Sequence, residues 1–143
     1  MSDKPTVTVQ VKHHYQASAE RVFDAWLDPE RAGKFLFSTP TGLMVRVEID
    51  ARPGGAFVFT DRRDGEDIDH TGTYEVIERP NQIVFSFSVP KYTTEQTRVR
   101  IDIVSLAEGC ELTLTHEKVW EDFSDQTQKG WTMILESLEK ALD

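Results

Sequence analysis

Apolar and polar residues alternate along TVTVQVKHHY, residues 6–15. Val7, Val9 and Val11 fall on one side and Thr8, Gln10 and Lys12 on the other, the period of a half-buried strand. His13 and Tyr15 continue the valine side, while His14 points the other way, toward water. The period then changes. In SAERVFDAWLD, Val22 with Trp26 and Phe23 with Leu27 stand four residues apart, as on one face of a helix. Ser18 supplies an N-cap. DPERAGKFL predicts a second, short helix, with Asp28 as its cap and Pro29 in the first helical position, where the missing N–H leaves no bond unmade.

From Leu43 the period of two returns. LMVRVEID places Leu43, Val45, Val47 and Ile49 on one face, and RPGG predicts a type II turn at Pro53-Gly54. AFVFTDRR predicts a strand, Asp64-Gly65 a tight hairpin, and the alternation through Gly72 to Ile77 a further strand. After a turn at RPNQ come IVFSFSV, TRVRIDIVSL and CELTLTHEKV, the last two joined at Glu108-Gly109. From about Asp122 the pattern is helical. At 100° per residue, Phe123, Thr127, Gly130, Ile134, Leu138 and Ala141 share one side, flanked by Trp131, Leu135 and Leu142. Lys129, Thr132, Glu136, Glu139 and Lys140 face away.

The order is therefore a strand, two short helices, six strands in a meander and one long helix, roughly 122–142. Strands joined by short turns are antiparallel with one face buried, and only the last helix is long enough to cover that face. No repeat or linker divides the chain, so residues 1–143 read as a single domain. Gly130 interrupts a strong helical pattern at a cost of about 1 kcal/mol relative to alanine. Two readings of it stay open: it leaves room for a cavity against the sheet, or it lets the helix approach a strand closely.

Composition narrows the partners. Asp and Glu number 25 against 16 Lys and Arg, a net charge of −9. That balance opposes nucleic acid, whose binding rests on cations neutralising phosphates, and opposes adsorption to anionic membrane. One cysteine, Cys110, excludes an internal disulfide framework. The start of the chain has no apolar signal core and no stretch reaches membrane-spanning length, so a cytoplasmic location is expected.

Candidate chemistry is sparse. His116 continues the Leu112 and Leu114 side of its strand and should face the interior; a core histidine satisfied by hydrogen bonding is weighed above a catalytic one. Tyr74, on the Val76 side of its strand, would offer its hydroxyl to the same interior. The four histidines and Cys110 lack zinc spacing. The acids between Asp61 and Asp69 fit no calcium loop and read as a solvated hairpin tip. Gly54-Gly55 leads into a strand rather than a helix, so it is no phosphate cradle. Cys110 has Glu108 and Glu111 nearby rather than cations, and no Ser or Cys is visibly paired with a base. No catalytic residue, metal ligand or cofactor is assigned.

Five stretches carry a family resemblance: ASAERVFDAWLDPE (17–30), GGAFVF (54–59), GTYEVIERPNQIVFSF (72–87), LTLTHE (112–117) and GWTMILESLEKAL (130–142). In this order, along nearly the whole chain, they resemble the group named after the activator of Hsp90 ATPase, with its many small stand-alone bacterial members, in the START-like (SRPBCC) superfamily. One stretch departs: the second short helix ends in KFLF, where relatives usually carry a tryptophan pair. The resemblance implies an α+β helix-grip fold, a curved antiparallel sheet of about six or seven strands around a long C-terminal helix, with two short helices after strand 1. It also implies a cavity between sheet and helix that binds a hydrophobic or aromatic small molecule. On that reading Trp26, Phe57, Phe59, Tyr74, Phe85 and Phe87 grip the ligand, with His116, Thr127, Gly130, Trp131 and Ile134. The charge of −9 and the aromatic interior favour neutral or cationic molecules over phosphorylated ones, and the protein would be a monomer or weak homodimer. Two alternatives stand below this. An enzyme of the polyketide cyclase or hydrolase kind would use the same cavity, but His116 has no evident partner. An Hsp90-type co-chaperone or stress-related interaction protein is the other; eukaryotic activators carry a separate N-terminal domain that these 143 residues do not contain.

Overall fold

The computed structural model describes residues 5–36, 42–91 and 96–142. Phe37, the last residue of KFLF, lies outside them. The described elements are β1 (Thr6–Tyr15), α1 (Ala19–Leu27), α2 (Pro29–Phe35), β2 (Leu43–Ile49), β3 (Ala56–Arg63), β4 (Glu66–Glu78), β5 (Gln82–Phe87), β6 (Thr97–Ser105), β7 (Cys110–Trp120), a 3₁₀ turn (Glu121–Phe123) and α3 (Ser124–Ala141). The strands form one antiparallel sheet in the order β1-β7-β6-β5-β4-β3-β2. Strands β2 to β7 are the expected meander, and β1 returns to pair with β7.

Local chemistry accounts for the corners. The Ser18 side chain accepts from Arg21 N at 3.3 Å and that of Asp28 from Glu30 N at 3.0 Å, capping α1 and α2 as their sequences predict. Gly55 N donates to Arg52 O at 2.8 Å, with Gly54 at φ +88°, the position a type II turn reserves for glycine. Asp64 and Gly65 both have positive φ, at 52° and 80°, as a type I′ hairpin requires.

Three bulges break the alternation, each moving later side chains to the opposite face. In β2 the register slips between Met44 and Arg46. Met44, Val47 and Ile49 therefore pack toward the core, while Leu43 and Val45, expected there, are 62% and 39% exposed. In β4 the slip falls between Tyr74 and Val76, and Tyr74 is followed inward by Ile77 rather than by Val76. In β7 an extra residue beside Lys118, at φ +64°, lets Val119 turn inward after Leu112, Leu114 and His116.

Helix α3 lies against the sheet, fixed at its middle and at its C-terminal end. The Tyr15 hydroxyl donates to Leu135 O at 2.8 Å, tying its middle to β1. Arg21 of α1 donates to Leu142 O, and Arg31 of α2 to Ala141 O at 3.0 Å, placing two cations at the negative end of the helix dipole. The packed seam is Trp131, Leu135, Leu138 and Leu142. Apart from Leu138 these are residues expected to flank the buried arc. The expected centre is turned outward: Phe123 is 43% exposed, and Thr127, Gly130 and Ile134 are half-buried. Among the described residues no helix is long and apolar enough to cross a membrane.

Candidate functional site

The outward turn of α3 leaves space. A Cβ added at Gly130 would meet no atom within 4 Å, so this glycine faces open space rather than a closely packed strand. It borders a cavity of about 550 Å³, within the size range of small-molecule sites. Thr127, Gly130, Trp131, Met133, Ile134 and Ser137 of α3 form one wall. Lys34 and Phe35 of α2 close one side, and Arg63, His70, Phe87, Val89 and His116 supply the sheet side.

Phe87 is the hub of the aromatic lining. Its ring centroid lies 6.1 Å from His70 in a stacked arrangement, 5.8 Å from His116 and 6.4 Å from Trp131, the last two edge-on. His116 and Trp131 meet edge-on at 5.9 Å. Strand alternation after Phe85 places Phe87 inward, and the seam of α3 places Trp131 above it.

His116 is held on both ring nitrogens. Trp131 Nε1–H donates to His116 Nδ1 at 3.0 Å, so Nδ1 carries no proton. The neutral ring must then carry its proton on Nε2, which donates to Thr97 Oγ1 at 2.7 Å. Thr97 passes its own hydroxyl proton to Phe87 O at 3.2 Å. Every donor in the relay has an acceptor, and burial pushes the His116 pKa down to about 4. The arrangement favours a neutral histidine that orients Trp131. As a general base near neutral pH it is poorly placed, because its one lone-pair nitrogen is occupied.

His70, which sequence reasoning did not single out, is 7% exposed and places Nδ1 3.3 Å from Phe59 O, to which it donates. Burial holds its pKa below the ordinary histidine value. The inward alternation Ile68, His70, Tyr74 was the signal that could have found it. Asp61 corrects the reading of a wholly solvated acidic hairpin. Asp64, Glu66, Asp67 and Asp69 are exposed, but Asp61 is fully buried and accepts from Arg63 Nε at 2.5 Å. Lys34 and Arg63, also missed, are long polar side chains whose sequence pattern is that of any solvated surface position.

Of the residues expected to grip a ligand, Phe87, His116, Thr127, Gly130, Trp131 and Ile134 line this cavity. Trp26, Phe57, Phe59, Tyr74 and Phe85 lie in a separate packed cluster around a gap of only about 10 Å³. There Phe57 sits 5.2 Å from Phe85, 5.4 Å from Tyr74 and 5.9 Å from Phe59. Burial raises the Tyr74 phenol pKa. Trp26 packs edge-on to Phe35 at 5.3 Å and lies 6.5 Å from Trp131, so this cluster buttresses the cavity wall rather than forming it. The indole N–H of Trp26 is buried without a hydrogen-bond partner among the described residues. Cys110 is buried too, and burial pushes its thiol up, away from an activated thiolate. Among the described residues no three His, Cys, Asp or Glu side chains are placed to hold a metal ion.

Sequence comparison fits this architecture. The family model described as "Activator of Hsp90 ATPase homolog 1-like protein" matches residues 16–143. The chain belongs to this family. No curated protein matches it. Solved structures with the family's fold include a protein from Chromobacterium violaceum, with a TM-score of 0.87 and 23% identity over 94% of this chain and 96% of that one. A Staphylococcus aureus protein of unknown function gives 0.86 at 15% identity, covering 98% and 95% of the two chains. The AHSA1-like protein from Aeromonas hydrophila gives 0.82 at 20% identity, covering 95% and 92%. At these identities the likeness establishes the helix-grip fold and leaves the ligand open.

Proposed function

We propose that this family member is a binding protein for a small molecule with a hydrophobic or aromatic body, held between the sheet and α3. The observation that carries the reading is the cavity of about 550 Å³ walled by Phe35, Phe87, Trp131 and Ile134, with open space in front of Gly130. Mostly apolar walls with a few placed polar groups are the usual composition of such sites. Enzymatic use of the same cavity has weaker support, since both nitrogens of His116 are engaged and its pKa near 4 leaves it neutral. The test is a thermal-shift screen of planar apolar compounds on the wild type and on Gly130→Leu. A ligand at 100 times its Kd raises native stability by about 2.7 kcal/mol. Compounds that stabilise the wild type should stabilise Gly130→Leu less, because the leucine occupies their place. A melt that no such compound shifts, or shifts unaltered by the leucine, counts against the proposal.

A further inference from the structure

We infer that the ligand of this cavity is a hydrophobic ketone or quinone, whose carbonyl oxygen passes Phe35 and accepts hydrogen bonds from the indole N–H of Trp26 and the hydroxyl of Tyr74. The inference rests on the binding function proposed above. It starts from two donors without acceptors inside an apolar cluster. Trp26 is 2% exposed, and its Nε1–H is buried with no hydrogen-bond partner among the described residues. Tyr74 is 4% exposed, and its hydroxyl makes no hydrogen bond among the described residues. A buried donor left unpaired is costly, and native structures hold few of them. Both side chains border the same small gap, whose other walls include Leu36, Phe57 and Phe85. The rings packed on Trp26, Phe35 and Trp131, offer it only π faces, which are weak acceptors. At about 10 Å³ the gap itself is at the lower limit for a single water.

The gap and the cavity are one ring apart. Phe35 and Leu36 are consecutive at the end of α2, yet Phe35 lines the cavity and Leu36 the gap. Trp26 packs on Phe35 and lies beside Trp131, both of them cavity walls. A change of the Phe35 rotamer joins the two spaces, and a ligand that binds the joined form favours it by its extra affinity. The donors dictate the group that enters. Burial raises the Tyr74 pKa, so the phenol keeps its proton and can donate. An indole N–H only donates. Two donors are answered by one oxygen with two lone pairs, which a carbonyl supplies. A carboxylate would carry a full charge into an apolar gap at far greater cost, so the acceptor is neutral. Both donors are already out of water, so pairing them costs the protein no further desolvation.

The probes are 9-fluorenone and fluorene, one planar skeleton with and without a carbonyl. Their dissociation constants are measured by equilibrium dialysis against the wild type, Tyr74→Phe, Trp26→Phe and Gly130→Leu. The wild type should bind the ketone at least about tenfold more tightly than the hydrocarbon, a ratio that two net hydrogen bonds supply. Tyr74→Phe and Trp26→Phe should each cut that preference at least about threefold, and Gly130→Leu should weaken both probes. In the nuclear magnetic resonance spectrum of the wild type, the assigned Trp26 indole proton should move downfield with the ketone and stay in place with fluorene. That resonance and Tyr74→Phe, which deletes only a hydroxyl, decide the matter if Trp26→Phe does not fold. Equal binding of the two probes, a preference that Tyr74→Phe leaves intact, or an unmoved Trp26 indole proton overturns this inference and leaves the binding proposal standing. Binding of neither probe, or binding indifferent to Gly130→Leu, overturns the binding proposal and this inference with it.

Discussion

Replacing Gly130 with alanine adds a methyl group that meets nothing within 4 Å and removes backbone freedom from the unfolded chain. In a helical position that should stabilise by roughly 0.4–1 kcal/mol. Denaturant melts check it, and a less stable Gly130→Ala would mean that the open space is not there. At His116 the prediction concerns pH. The folded pKa is about 4 against an ordinary 6.5, so between these values the unfolded chain binds a proton that the folded chain refuses. Stability therefore falls as pH drops from about 6.5 toward 4, by about 3 kcal/mol in total for this group. His70 is depressed in the same direction and adds to the loss. Glutamine can accept from Trp131 and donate to Thr97 without titrating, so His116→Gln should flatten the pH dependence between 4 and 6.5. An equally steep profile in the variant would assign the slope to other groups.

At the scale of the element, α3 is held by bonds from three other elements. Arg21 and Arg31 cap its last carbonyls, and Tyr15 donates to Leu135. Arg21→Ala and Arg31→Ala should each cost about 0.3–1 kcal/mol and should speed amide exchange in the final turn more than in the sheet. Uniform acceleration across the protein would show that the two arginines act on global stability instead. Sequence alternation located all seven strands, yet the inward set was misread where bulges intervene. Leu43 and Val45 looked like core residues, and the slip at Val45 gave their place to Met44. A bulge is one extra residue, and nothing in LMVRVEID marks which residue it is.

Across the whole molecule, one apolar cluster runs from Tyr15 and Phe23 through Phe57, Ile101 and Leu112 to Trp131 and Leu138. Sheet and α3 should therefore unfold together. Urea transitions followed by Trp131-sensitive fluorescence and by far-ultraviolet circular dichroism should coincide, as a cooperative two-state transition requires. A fluorescence change that precedes loss of the sheet would show α3 leaving as a unit of its own.

By itself the sequence determined the elements, the caps of α1 and α2, the turns at Gly54 and Asp64-Gly65, and the family. All of these depend on residues close in the chain, where period and side-chain chemistry act directly. The resemblance also grouped Phe87, His116, Gly130, Trp131 and Ile134 in one expected site, together with Trp26, Phe57, Phe59, Tyr74 and Phe85, which pack elsewhere. Only the tertiary structure decided the rotation of α3, since an arc of apolar residues is broad enough to pack about more than one line. The bond from Tyr15 and the caps from Arg21 and Arg31 select the seam Trp131, Leu135, Leu138 and Leu142. That choice closes the core over Trp26 and Phe57 and leaves the cavity beside Gly130. Lys34, Arg63 and His70 reach that cavity from α2, β3 and β4, elements whose convergence no local pattern records.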